Sequence, residues 1–346
     1  MNRIITTISL AIACVSATTD TTSYDITDHF VWEHFSMFQE RFNKRYENFE
    51  IMRERFDIFR TNWLDIQRHN GDSSQNFTKG INQFTDLTPE EFNEEYLGGI
   101  SQERNVVGLY GCSSFTSNKD TDSLPDSIDW RDEGAVTPVK DQGQCGSCWS
   151  FSASGAMEGA WATATGELVS LSEEQLTDCA TGFKYGSHGC NGGQMDGAFK
   201  YAIENGATSE DQYPYTAGKG QTGECEQSDV NSVATFTGCY DVAPNDQVSL
   251  KAAVSKQPVS IAIEADTRYF QSYSSGILTS SDCGTSLDHG VLIVGYGEDK
   301  GQKYWLVKNS WSTTWGDNGY VKIARSDSRN DKGICGIAMQ PSFITA

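Results

Sequence analysis

The stretch Gln142-Gly-Gln-Cys-Gly-Ser-Cys-Trp149 decides the reading of this chain. It sets Cys148 where a turn feeds a helix, and the partial positive charge of a helix N-terminus favours thiolate over thiol. Downstream lie a histidine in Leu287-Asp-His-Gly290 and an asparagine in Lys308-Asn-Ser-Trp311. Cysteine, histidine and asparagine in that order suit an acyl-transferring thiol enzyme. The thiol forms the acyl bond, the imidazole moves the proton, and the amide orients the ring.

Each residue also has a plainer reading. A cysteine before a tryptophan is, on its own, a small buried hydrophobe. Cys145 and Cys148 form a C-x-x-C, a spacing used in redox and zinc chemistry. A zinc site wants a second such pair, which the sequence lacks, and a redox motif wants a βαβ setting that is absent. Beyond residue 122 the only histidines are His188 and His289, and His188 reads as a surface residue in a glycine-rich loop beside Cys190. Agreement among three separated motifs selects the nucleophile reading for Cys148. This chemistry calls for no cofactor and no metal.

Cys145-Gly-Ser-Cys148-Trp149 resembles the C-G-[SA]-C-[WY] signature of papain and the cathepsins, whose histidine and asparagine follow roughly 130–150 residues later. Here His289 lies 141 residues beyond Cys148, and Asn309 lies 161 beyond. From about Phe30 onward the chain resembles a papain-like, cathepsin L-like cysteine protease zymogen. The resemblance implies an α+β, two-lobed fold, a helical lobe followed by a β-rich lobe, behind a helical inhibitory propeptide.

With 346 residues, the chain has room for two or three folding units. Its net charge of −21 argues against a nucleic-acid partner, since no basic cluster is present to neutralise phosphates. So many carboxylates make a well-solvated surface and also suit an acidic compartment. Arg3, the apolar run Ile4–Val15 and the small residues Val15-Ser-Ala17 read as a secretory signal over residues 1–17. That run is too short for a membrane anchor. The expected destination is the secretory pathway, ending in the lysosome or outside the cell, and nothing demands more than a monomer.

Residues 18–121 read as propeptide and linker, and residues 122–346 as the peptidase. Phe30, Trp32, Phe35 and Phe38 predict one amphipathic helix, and Phe56, Phe59, Trp63 and Ile66 a second. The second resembles the propeptide signature E-x3-R-x3-F-x2-N-x3-I-x3-N through Arg55, Phe59, Asn62, Ile66 and Asn70. Its first position departs, holding Ile51 with Glu50 one residue early, which removes a carboxylate from the expected internal ion pairs. Gly80-Ile-Asn-Gln-Phe-Thr-Asp86 resembles the second propeptide motif, G-x-N-x-F-x-D. Thr88 and Pro89 predict a capped helix start. The polar stretch Gly98–Ser123 reads as an exposed linker, with maturation expected between about Cys112 and Leu124. Asn76-Phe-Thr78 is an N-glycosylation sequon.

In the peptidase, Cys148 to about Gly166 is helical in pattern, with Phe151, Met157 and Trp161 available to the core. Ser172 caps another helix. Strands are predicted at Val259–Ile263, Gly290–Val294, Tyr304–Lys308 and Gly319–Ile323. A helical half with the cysteine and a β-rich half with the histidine place a cleft between them.

The resemblance assigns the remaining roles. Cys148 is the nucleophile, its pKa lowered to about 3–4 beside an imidazolium. His289 is the acid–base partner, Asn309 its orienter and Trp311 the cover that shields their bond from water. Gln142 and the Cys148 backbone N–H form the oxyanion hole. Gly192 and Gly193, in Asn191-Gly-Gly193, pair with the extended substrate. Met195, Ala262, Leu287 and Gln340 line the pocket for the side chain two before the scissile bond, favouring a hydrophobic residue. Trp315 lines the leaving-group side. No histidine pair in an insertion marks a dipeptide-releasing relative, so endopeptidase action is expected, with protein and peptide substrates and the propeptide as built-in inhibitor. A non-catalytic relative would have lost Cys148, His289 or Gln142. A transpeptidase would use the same acyl-enzyme.

The same resemblance pairs Cys145 with Cys190, Cys179 with Cys225, and Cys283 with Cys335. Cys14 leaves with the leader. That arrangement leaves Cys239 as a buried free thiol, the alternative being a bond to Cys112 that ties the propeptide region to the enzyme.

Overall fold

The computed structural model describes residues 26–98, 100, 108–118 and 123–346, so the leader expected over residues 1–17 lies outside it. Two helices, α1 (Ile26–Arg41) and α2 (Phe49–Asn70), open the described chain. They close a small core of Val31, Phe35, Phe38, Phe59 and Trp63. Residues 31, 35 and 38 follow the helical repeat. The predicted Phe30 and Trp32 fall to either side of that stripe and are 50% and 37% exposed, so Val31 takes the core position expected of them.

The polar motif residues hold these helices to the turn that follows. Asn62 Nδ2 donates to the carbonyls of Thr85 and Leu87, both at 2.9 Å. Asp86 accepts from Lys44 Nζ at 2.9 Å and from the Tyr46 hydroxyl at 2.8 Å. Arg55 makes a two-pronged pair with Glu91, each contact 2.8 Å, so the carboxylate missing at Ile51 is supplied from the next helix. That helix, α3 (Pro89–Tyr96), has the full capping box of Thr88 and Glu91.

In the peptidase region, α4 (Cys148–Thr165) runs through the middle of the molecule, buried over most of its length. Small residues permit this. A Cβ on Gly155 would sit 2.7 Å from Leu292, and one on Gly159 2.5 Å from Pro258. Gly166, at φ 81°, ends the helix in the left-handed conformation. Helices α5 (Glu173–Cys179) and α6 (Met195–Asn205) pack beside it, and α7 (Gln247–Val254) and α8 (Arg268–Gln271) follow.

Among the described residues ten strands form one sheet. They are β1 (Phe77–Lys79), β2 (Ser113–Phe115), β3 (Ile128–Asp129), β4 (Gly238–Val242), β5 (Val259–Ile263), β6 (Tyr273–Leu278), β7 (His289–Asp299), β8 (Gln302–Lys308), β9 (Tyr320–Ala324) and β10 (Ser342–Thr345). The order is β1-β6-β9-β8-β7-β5-β10-β4-β2, with β3 on β7. Two strands come from the stretch before the peptidase. β1 extends the sheet at one edge, and β2, within the predicted linker, extends it at the other. Most described residues of the expected linker Gly98–Ser123 are exposed, but Ile100, Tyr110, Cys112 and Ser117 are buried and fasten it to the rest of the molecule.

Among the described residues four disulfides join Cys112–Cys239, Cys145–Cys190, Cys179–Cys225 and Cys283–Cys335. The free-thiol expectation for Cys239 is overturned by its bond to Cys112. Cys148 is the one free cysteine among the described residues. Among those residues no helix is long and apolar enough to cross a membrane.

Asn62→Ala would leave the Thr85 and Leu87 carbonyls buried and short of a donor, at about 1–3 kcal/mol for each such group. Calorimetry of the propeptide-bearing chain should show a lower Tm for Asn62→Ala than for the parent. An unchanged Tm would show that Asn62 does not hold this turn.

Candidate active site

The site lies where the N-terminus of α4 meets the start of β7. A Cβ on Gly290 would come within 3.1 Å of the Cys148 carbonyl oxygen and 3.2 Å of Trp149 Cα, so helix and strand meet here in close backbone contact. Ser152 Oγ donates to the Val291 carbonyl at 2.6 Å, and Ser260 Oγ donates to the Ser152 carbonyl at 2.8 Å. These bonds stitch the helix to the sheet and place Cys148 and His289 side by side.

His289 Nε2 lies 2.8 Å from Asn309 Oδ1, which also accepts from the Ser310 N–H at 2.8 Å. An oxygen already accepting from an amide obliges Nε2 to carry the proton. Nδ1 has no hydrogen-bond partner among the described residues and is the basic nitrogen. Trp311 stacks on the imidazole, with centroids 4.5 Å apart and planes at 25°. The expected cover is thus a ring laid on the histidine. Trp315 is fully buried, donates to the Gln271 carbonyl at 3.1 Å and packs edge-on against Trp311.

Gln142 is fully buried. Its Oε1 accepts from Ser310 Oγ at 2.6 Å, which points Nε2 the other way. Nε2 donates to the carbonyls of Cys145 and Tyr96, both at 3.0 Å. Tyr96 belongs to α3, so a backbone carbonyl from the stretch before the peptidase occupies this amide. The chain then crosses Gly146 so closely that a Cβ on Gly98 would lie 2.2 Å from the Gly146 carbonyl oxygen. It next forms a parallel β-bridge between Ile100 and Gly193. Gly193 is itself a tight spot, since a Cβ there would meet the Trp149 ring at 2.6 Å.

Met195, Ala262 and Leu287 are buried in one apolar cluster, and Ile100 is buried in the same cluster. Gln340 Nε2 donates to Gln194 Oε1 at 3.0 Å, so this amide is already engaged. Gly192 adopts φ 94°, which suits glycine. His188 is exposed.

Burial controls the ionisation here. It pushes the Cys148 thiol up to about 11, against the downward pull of the Gly290, Gly98 and Trp149 N–H groups, while Asp288 adds to the rise. It lowers His289 to about 4, only partly offset by Asn309. The closed site therefore holds a neutral thiol and a neutral imidazole. The expected thiolate at about 3–4 fails for this state because the chain lying across the cleft excludes the water that would solvate an ion pair.

Sequence reasoning missed several groups. Lys140 Nζ contacts Glu158 Oε1 at 3.2 Å and Glu173 Oε1 at 2.7 Å, fixing the loop that carries Gln142 to α4 and α5. Burial raises Glu173 to about 7 although Lys140 opposes the shift. A glutamate amid the small and apolar residues of α4 was the available signal. Ser310 and Tyr96 gave none, because their roles come from contacts distant in sequence.

Residues 124–345 match the family model described as papain family cysteine protease, and residues 35–92 match the cathepsin propeptide inhibitor domain. A probable cysteine protease of Arabidopsis thaliana, RD21C, is 45% identical over 340 residues, covering 98% of this chain and 72% of its own length. Among solved structures, a recombinant stem bromelain precursor aligns with a TM-score of 0.82 at 38% identity, covering 91% of this chain and 98% of that one. The digestive procathepsin L 3 of Tenebrio molitor larval midgut aligns with a TM-score of 0.80 at 40% identity, covering 91% and 99%.

Iodoacetamide should alkylate Cys148 in the intact chain at pH 6.5 at least ~100-fold more slowly than after residues 26–100 are removed, because only the opened site supports a thiolate. Equal rates in the two forms would contradict the closed, neutral site.

Proposed function

This chain belongs to the papain family of cysteine proteases and is a zymogen with its own inhibitor domain; we propose that Cys148, His289, Asn309 and Gln142 carry out its peptide hydrolysis. In the opened enzyme water reaches the cleft, and Cys148 gives its proton to His289 Nδ1. The thiolate attacks the scissile carbonyl, and the oxyanion takes hydrogen bonds from Gln142 Nε2 and the Cys148 N–H. The imidazolium protonates the leaving amine as the C–N bond breaks, leaving a thioester. A water then loses its proton to His289, attacks the thioester and releases the acid and the thiol. Asn309 keeps the ring oriented throughout, and Trp311 keeps water from their bond.

One observation carries this reading. The Tyr96 carbonyl accepts from Gln142 Nε2, and four residues on Ile100 pairs with Gly193 and enters the apolar cluster of Met195, Ala262 and Leu287. The inhibitory segment makes contacts that a bound peptide would make. A hydrophobic side chain two before the scissile bond follows from that cluster, with Gln340 bounding it and Trp315 on the leaving-group side.

The leader supports delivery through the secretory pathway to the lysosome or the cell exterior, with a glycan on the exposed Asn76. Ionisation supports work in acid. Burial raises Asp196 to about 7 and Asp288 to about 8, as it does Glu173. A carboxyl with a raised folded pKa contributes stability that is complete below its unfolded value, about 4, and is lost as pH rises through the folded value. Glu91 goes the other way. Its bonds from Arg55 lower its pKa despite partial burial, so that contribution holds above about 4.3 and fades as pH falls through the depressed value. Acid therefore favours the catalytic region while weakening the ionic clasp between α2 and α3.

Incubation between pH 4 and 7 should release activity on a peptide with a hydrophobic residue two before the scissile bond, in step with propeptide loss, and a Cys148→Ala control should give none. No turnover by folded, propeptide-free protein would sink the assignment. Gln142→Ala should fold and lower kcat by about 10²–10³; wild-type kcat would remove Gln142 from the oxyanion hole. The Tm of the catalytic region should fall from pH 5 to pH 8, and a rise over that range would contradict the carboxyl argument.

A further inference from the structure

Residues 108–117 lie between the two stretches matched by family models, yet they are built into the catalytic sheet. β2 pairs in parallel with β4, setting Ser113 against Tyr240, Ser114 against Asp241 and Phe115 against Val242. The pairing continues beyond the strand, where the Ala243 N–H donates to the Phe115 carbonyl at 2.9 Å. On either side, the Gly108 N–H donates to Asp241 Oδ2 at 2.6 Å and the Ser117 N–H to Ser249 Oγ at 3.0 Å. The Phe115 ring packs edge-on against Phe343, with centroids 5.3 Å apart. Without β2, the β4 edge would present unpaired backbone groups to solvent.

The Cys112–Cys239 disulfide bonds this segment covalently to β4. Both cysteines are 5% exposed, so the folded protein shields the bond from thiols in solution. A cut between Ser117 and Leu124 opens the chain but leaves everything N-terminal to it attached through Cys112.

We propose that the Cys112–Cys239 bond makes Gly108–Ser117 a permanent strand of the catalytic unit, so that the inhibitory helices are freed only by a cut on the N-terminal side of Cys112. This moves the releasing cut upstream of the 112–124 interval. It rests on the zymogen reading above. After a cut on the C-terminal side of Cys112, the inhibitor stays at an effective concentration of about millimolar and continues to fill the cleft.

The test places a recognition sequence for an unrelated site-specific protease between Ser117 and Leu124 of the full chain, alone and combined with Cys239→Ser. Cys112→Ser, which removes the same bond from the other side, serves as a second variant should the first fold poorly. The cut parent should run as one species on a non-reducing denaturing gel. It should give two fragments once dithiothreitol, itself oxidised to a cyclic disulfide, returns the cystine to two thiols. Its activity on a short fluorogenic peptide at pH 6 should be at least ~100-fold below that of either cut cysteine variant. Two fragments without reductant, or equal activity of cut parent and cut variants, would overturn the proposal. The gel result can also be read in a Cys148→Ala background. A tethered fragment there, with no hydrolysis by any of the cut proteins that retain Cys148, would support the tether and count against the protease reading instead.

Discussion

The structure depends on one close contact, the N-terminus of α4 against the first residues of β7. The Cys148 and Trp149 backbone lies so close to Gly290 that a Cβ there would sit only 3.1–3.2 Å from it. That approach brings together two residues far apart in sequence, one on a helix and one on a strand. It works only because α4 is rich in alanine, serine and glycine, so that strand residues such as Leu292 can settle onto the helix. The serine hydroxyls bond backbone carbonyls at the seam and so keep a buried polar surface satisfied. A Cβ at Gly155 would press on the Leu292 side chain, and one at Gly290 on the Cys148 backbone, so added bulk at either position is felt at this seam.

The inhibitory segment uses the same seam. Its aromatic residues Phe84 and Phe92 pack edge-on against Trp311, the ring that covers His289, with centroids 5.4 Å and 5.2 Å apart. Burying each contributes about 1.5–3 kcal/mol. Gln83 adds a 2.7 Å hydrogen bond from Nε2 to the Trp311 carbonyl, and Asn82 one of 2.7 Å to the Gln271 carbonyl. These contacts set the chain so that it passes over Cys148 with its own carbonyl on Gln142. Inhibition and ionisation are then one event, because the chain that blocks the cleft also removes the water on which the ion pair relies.

Much of this was legible in the residues. Cys148, His289, Asn309 and Gln142 sit in short motifs whose chemistry is local. Asn62, Asn70 and Asp86 sit in motifs whose spacing fixes turns, and Thr88 and Pro89 mark a helix start. Short runs rich in β-branched and aromatic residues announced β5, β7, β8 and β9. Other features were hidden. Phe30 and Trp32 look like core residues in any count of aromatics, and only the helix phase turns them outward. β2 is three residues long in a serine-rich stretch, and nothing in Ser113-Ser-Phe115 shows that β4 lies open beside it. Cysteine parity left one thiol over, but whether Cys112 reached it depended on where the chain returned.

The sequence by itself determined the reactive groups, their order and the repeat of each element, because these rest on side-chain chemistry and on helical and strand periods that act over a few residues. The tertiary structure alone decided which state those groups occupy and what is fastened to what. It set a neutral thiol instead of a thiolate, Glu91 instead of a carboxylate at position 51 as the partner of Arg55, and Cys112 joined to Cys239. Each of these depends on which distant segments exclude water or lie within bonding distance, and that proximity exists only once the chain has closed on itself.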